Sequence, residues 1–141
     1  MSTPVAPRDA EPRDVEWWLA CHPRSAGRAR GRVRGQAEAW GVPEDVAETA
    51  VLLVSELVTN AVRHSRVAGR YILARCVLRE DALRVEVGDA GDGVPVVRAA
   101  GDEAEGGRGL ALVDALAAKW GTEPRAYGIG KTVWFELALG E

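Results

Sequence analysis

Two polar residues four positions apart, Glu56 and Asn60, stand in the segment LLVSELVTNAVRHS, residues 52 to 65, which otherwise reads as a core helix. A carboxylate can take a proton from a hydroxyl or a water, and a carboxamide oxygen can ligate a hard cation such as Mg²⁺. At i,i+4 spacing on a helix the two share one outlook, and His64 continues the row. Farther along, Asp89 opens the run DAGDG, with glycines at 91 and 93 followed by Val94, and a second cluster, GGRGL, sets Gly107, Arg108 and Gly109 before Leu110. Glycines beside a carboxylate let a flat ring come close to the backbone while the acid accepts a hydrogen bond from it. A glycine-rich loop feeding a helix N-terminus offers N–H groups and the positive end of the helix dipole to an anion, most naturally phosphate.

Each signal has a plainer explanation when taken alone. Glu56 and Asn60 fit two exposed residues on a good helix, DxGxG fits a polar turn after a strand, and many loop-to-helix junctions use glycine. One further motif is excluded. The tripeptide GKT at 130–132 ends like a phosphate-binding P-loop, but that pattern requires Gly at 125, where Arg stands, and a helix after it. Here the alternating KTVWFELAL reads as a strand.

The elements that must position these residues follow from periodicity. VEWWLACH reads as a strand with Trp17, Leu19 and Cys21 on one face and Trp18 and Ala20 on the other. Pro23 stops it and Ser25 is the expected N-cap of a helix from Ala26 to Trp40, closed by Gly41. That helix carries Arg28, Arg30, Arg32 and Arg34, a solvated face or a surface for an acidic protein. A second helix, Glu44 to His64, gathers Val46, Ala50, Leu53, Val54, Leu57, Val58 and Ala61 in one arc, with Asp45, Glu48, Ser55, Thr59 and Arg63 opposite. Glu56 and Asn60 fall on the border of the arc, where a polar group can face a cleft while its stem packs on the core.

Two strands come next, RYILARCVLR and ALRVEVGD, joined at Glu80 and Asp81. In the second, Asp89 has the parity of Leu83, Val85 and Val87, so its carboxylate is expected in the inner layer, where it needs a donor. Residues 94–106 read as a mobile loop. GGRGLALVDALAAKWG then reads as a helix with an apolar face of Leu110, Leu112, Val113 and Leu116 and an end at Gly121, and a hairpin closes the chain, about Thr122 to Tyr127 and Lys131 to Leu139.

Length and charge bound the function classes. The 141 residues suit one domain, expected at 14–141 behind a flexible tail at 1–13 that is rich in Pro, Asp and Arg. A net charge of −3 argues against direct nucleic-acid binding. Two cysteines do not make a disulfide framework, and no apolar run is long enough to span a bilayer. The expectation is a cytoplasmic protein with no membrane partner, and a homodimer is left open.

Taken together and in this order, ELVTNAVRH, DAGDG and GGRGL describe a nucleotide site. The triple resembles the ATP-binding domain shared by gyrase, Hsp90, histidine kinases and MutL, the Bergerat fold. Within it, VSELVTNAVRHS and GGRGLALVDALAAKWG look most like the anti-sigma-factor serine/threonine kinases, over roughly residues 15 to 139. The resemblance implies an α+β two-layer sandwich, a mixed and mostly antiparallel sheet with three helices on one face. It also implies ATP and Mg²⁺ as cofactors and a sigma factor or an anti-anti-sigma factor as protein partner. Asn60 would hold the Mg²⁺, and Asp89 would accept the adenine amino hydrogen between Gly91, Gly93 and Val94. Gly107, Arg108, Gly109 and Leu110 would contact the triphosphate, Arg108 adding charge stabilisation, and His64 would line the cleft. Glu56 would be the base.

The sequence departs from the family at the last glycine box, where members often place Thr directly after the glycine. Here Lys131 follows Gly130 and Thr132 comes one step later, with Lys131 on the parity of Val133, Phe135 and Leu137. Both are kept as nucleotide-site candidates. Two functions remain open: a protein kinase acting on Ser or Thr of a partner, and a nonenzymatic regulator whose partner binding is set by nucleotide. The catalytic half of a histidine kinase is disfavoured, because the chain offers no phosphoacceptor helix pair.

Overall fold

A computed structural model describes residues 13–64, 71–89, 110–124 and 130–140, for Asp89 the backbone alone. In chain order the elements are β1 (Asp14–Ala20), α1 (Ser25–Trp40), α2 (Glu44–His64), β2 (Tyr71–Leu78), β3 (Ala82–Asp89), a helix α3 described over 110–116, β4 (Lys119–Pro124) and β5 (Lys131–Ala138). The strands form one sheet in the order β1-β2-β3-β5-β4, and every described pairing is antiparallel. The expected α+β architecture, helices over one face of a sheet, is what forms. Of the expected tail only Arg13 is described, its carbonyl accepting a bond from the Leu78 N–H at 2.7 Å.

Period-two alternation builds the inner face of the sheet. Leu19, Ile72, Ala74, Cys76, Leu83, Val85, Val87, Phe135 and Leu137 are all buried on it. Against them α2 lays Ala47, Ala50, Val51, Leu53, Val54, Leu57 and Val58, and α1 adds Ala26, Ala29, Val33 and Ala37. The small residues of α1 let it approach α2 closely. Gly41 ends α1 in the left-handed conformation, φ 74°, where its N–H reaches the carbonyls of the last turn.

Three local expectations are corrected. Ser25 is not the N-cap: Arg24 holds that position without a side-chain bond, and Ser25 begins the helix. Being only 1 % exposed, the Ser25 hydroxyl must find an acceptor, and it donates to the carbonyl of Ala20, tying the end of β1 to α1. Leu116 is not on a buried face but 45 % exposed, at the rim of a cleft of about 320 Å³ shared with Val46, Thr49 and Leu137; Val113 and Ala117 turn inward instead. Gly121 does not end a helix. It lies in β4, which starts earlier than the pattern suggested because Trp120 packs on the core and donates to Asp114 Oδ1 at 2.8 Å. Opposite Gly121 stands Trp134, whose indole leaves no room for a Cβ: one built there would fall 2.9 Å from a ring carbon.

The described outer face of the sheet carries a ladder of ion pairs. Arg75 donates to both carboxylate oxygens of Asp14 at 2.8 and 2.6 Å and to Glu86 at 3.4 Å. Arg84 bonds Glu86 at 2.7 Å and Glu136 at 3.1 Å and lies 4.1 Å over the Trp134 ring. The Arg75 side chain, hydrogen-bonded to it, holds the Asp14 carboxyl below the usual carboxylate range.

Burial sets what each substitution costs. Phe135→Ala, at 0 % exposure, should cost about 3–5 kcal/mol in urea denaturation, whereas Glu56→Ala and Asn60→Ala, half-buried on the border of α2, should each cost less than about 1 kcal/mol. Burial also pushes the Cys76 thiol up from 9.0 to about 12. Because the folded value is the higher one, this contribution to stability is complete below pH 9.0 and is lost as pH rises toward about 12, where unfolded but not folded thiol ionises. Denaturation midpoints followed over that interval should fall less steeply in Cys76→Ala than in the parent protein.

Candidate nucleotide site

The one-sided burial of α2 orients the first candidates. With Leu53, Val54 and Val58 at 0 % exposure and Leu57 at 3 %, the helix has no freedom to rotate about its axis. Glu56, Asn60 and His64 are consequently left half-buried along one margin, and Arg63 is exposed beyond them. The expected border position of Glu56 and Asn60 is therefore where the fold puts them. Arg30 of α1 donates to Ser55 Oγ at 2.8 Å, a polar bond between the two helices on the side away from the sheet, next to Glu56 in sequence.

The strands bring other candidates to the matching end of the sheet. Asp89 closes β3, its backbone in register with Ile72, which is 1 % exposed. The next strand over, β5, starts with Lys131 and Thr132, and Thr132 is paired with Gly88 on one side and Glu123 on the other. Lys131 is exposed, while Val133, Phe135 and Leu137, which share its parity, pack on the core. Thr132 is half-buried and belongs to the alternate set with Trp134 and Glu136, as its parity requires. Leu110 begins the described part of α3 and packs on the core beside Leu112 and Val113. Gly91, Gly93, Val94, Gly107, Arg108 and Gly109, with the loop expected at 94–106, lie outside the described residues.

Sequence reasoning did not anticipate the ladder on the outer face or the Arg30–Ser55 bond. The alternation of Arg75, Arg84, Glu86 and Glu136 on outward parities was available as a signal, but which charges meet depends on register. Among the described residues no helix is long and apolar enough to cross a membrane.

Comparison with known proteins agrees with the fold. A curated relative, blue-light-activated histidine kinase 2 of Erythrobacter litoralis (strain HTCC2594), is 40 % identical over 72 residues, 49 % of this chain and 21 % of its own length. The chain therefore spans about a fifth of that relative. Among solved structures, the blue-light-activated histidine kinase of Erythrobacter litoralis EL346 superposes with a TM-score of 0.52 at 24 % identity, over 77 % of this chain and 40 % of that one, a likeness of fold. The profile of the histidine kinase-like ATPase domain matches residues 19–136. With its helices on one face of an antiparallel sheet, and with that match running from the end of β1 to the last strand, the chain belongs to the histidine kinase-like ATPase domain family.

Proposed function

We propose that this chain binds Mg²⁺ and ATP beside the Glu56–Asn60 margin of α2 and transfers the γ-phosphoryl group to Ser or Thr on an anti-anti-sigma-type partner, as part of an anti-sigma mechanism. The observation that carries the reading is the placement of Glu56 and Asn60 together on the border of a helix whose rotation is fixed by its buried face. Family membership supports ATP as the ligand. The register of Asp89 opposite a fully buried position supports its reading as the inward acceptor for the adenine amino group. Asn60 offers one amide oxygen, a hard donor of the kind that would hold Mg²⁺. Bound there, the cation would neutralise charge on the phosphates.

In the transfer step, Glu56 accepts the proton of the acceptor hydroxyl as that oxygen bonds to the γ-phosphorus. The bond between the γ-phosphorus and the bridging oxygen breaks, and ADP leaves. Arg108, before α3, would balance charge on the phosphoryl group in transit, with Gly107 and Gly109 giving it close approach. His64, Val94, Lys131 and Thr132 would line the pocket.

One other reading has a specific observation behind it. The curated relative is named a histidine kinase, which favours histidine as the phosphoryl acceptor. A nonenzymatic regulator needs only that nucleotide change the affinity for a partner. Isothermal titration with ATP and Mg²⁺ should show one saturable site, weakened in Asn60→Ala and Asp89→Ala; absence of heat with every adenine nucleotide would remove all three readings. Incubation with labelled ATP and a candidate acceptor domain then separates them. Acid-stable label that is lost in Glu56→Gln while ATP binding persists supports Ser/Thr transfer, acid-labile and alkali-stable label supports histidine transfer, and binding without label supports the regulator.

A further inference from the structure

We propose that the cleft between α2 and α3 is a docking groove for a basic amphipathic helix of a partner protein, which lays apolar side chains against Leu116 and Leu52 and sets Lys or Arg side chains beside Asp45 and its acidic neighbours. Among the described residues four large apolar side chains stand exposed. Trp18 and Tyr71 meet edge-on at one corner of the outer sheet face, with centroids 6.5 Å apart. The other two, Leu116 at 45 % and Leu52 at 43 % exposure, belong to the helical layer. Leu116 lines the cleft of about 320 Å³ with Asp45, Val46 and Thr49 across from it and with Leu137 and Ala138 of β5 in the same wall. Leu52 stands about two turns of α2 beyond Asp45 and therefore on the same side of the helix.

The chemistry around the cleft is one-sided. Val46 and Ala117 pack on the core, and Thr49 spends its hydroxyl on the Asp45 carbonyl at 3.1 Å within the helix. What remains polar is acid. Asp45 lines the cleft and is exposed, and Glu44 and Glu48 are exposed beside it on the first turns of α2. Glu80 and Asp81 are exposed in the turn before β3, and the Asp81 carbonyl accepts from the Leu139 N–H at 3.1 Å, next to Ala138 of the cleft wall. None of the ion pairs among the described residues engages these acids. Cations are fewer here: Arg79 shares the turn with Glu80 and Asp81, and Lys119 lies opposite Glu136 in register, on the outer-face side of β4. The arginine row belongs to α1, which packs on the other flank of α2, where Arg30 bonds Ser55.

Apolar walls and an acidic rim select the occupant. A segment with apolar and cationic side chains complements both, whereas an acidic one is repelled by the rim and a purely apolar one leaves the rim charges unanswered. A helix fits the groove better than a strand. Two walls are helices and β5 is paired on both sides, so the groove offers no ladder to an extended segment, while a helix satisfies its own backbone groups. Along α2 the distance from Asp45 to Leu52 is about 10 Å, which two turns of a docked helix cover. From Asp45 to Asn60 the helix runs about 22 Å, so the groove is separate from the nucleotide margin, and this inference does not depend on the nucleotide reading.

The test titrates the full chain, isotopically labelled for NMR, with two synthetic amphipathic helical peptides, one built of Leu and Lys and the other of Leu and Glu. The expected result is saturable binding of the Leu/Lys peptide, with amide shifts gathered at Asp45, Thr49, Leu52 and Leu116, and no binding of the Leu/Glu peptide. Leu116→Ser should weaken the affinity about tenfold and Asp45→Asn several-fold, with circular dichroism unchanged. Trp18→Ser and Glu16→Gln, which remove an exposed ring and an exposed acid elsewhere, should leave it as it is, and added salt should weaken it. Absence of saturable binding, equal binding of the Leu/Glu peptide, shifts centred on another surface, or the same shifts on concentrating the protein without peptide would overturn the proposal. The shifts in the parent protein decide it even if a variant fails to fold.

Discussion

The site margin depends on the clamping of α2 between the sheet and α1. Leu53, Val54, Leu57 and Val58 leave no solvent on their side of the helix, and a helix so held has one rotational setting. Everything on its other faces inherits a fixed direction. Glu56 and Asn60 then stand half-buried at a margin, where a polar head can meet water while its stem lies against the core. Such an arrangement leaves the holding of the helix to its buried apolar residues and not to the polar pair on its margin.

The sheet meets a second constraint on its far side. Its described outer face is not a helix-packing surface, yet the five described strands bring many side chains there into close rows. Arg75, Glu86, Arg84 and Glu136 resolve this by neutralising one another across three strands, with Asp14 extending the chain of charges to β1. Arg84, Glu86 and Glu136 are largely withdrawn from water, so each depends on its neighbours, and removal of one would leave a poorly solvated charge behind. The guanidinium stacked on Trp134 fixes that indole in turn, and the indole explains why position 121 must be glycine. Register, cation–π contact and a missing Cβ are thus one linked feature. Beside it, the Trp18–Tyr71 corner is apolar and open, which makes the two halves of the outer face suited to different surroundings.

What the sequence by itself determined is what periodicity encodes. The span Glu44–His64, the inward sets of β2 and β3, the terminating role of Gly41 and the border placement of Glu56 and Asn60 were all legible, because each follows from a local repeat or from the backbone freedom of one residue. The ordered motifs ELVTNAVRH, DAGDG and GGRGL likewise pointed to the family that the profile match establishes. Tertiary structure decided what depends on distant partners. Ser25 looked like a cap, but a hydroxyl buried against β1 bonds the nearest free carbonyl, that of Ala20. Gly121 looked like a helix end, but the indole of Trp134 claims the space above it in a strand. Leu116 had the helical spacing of a core residue, and only the packing of Val113 and Ala117 shows that the inward arc passes it by. In each case residue type was compatible with two local environments, and the contact that chose between them came from a segment far away in the chain, which no local pattern contains.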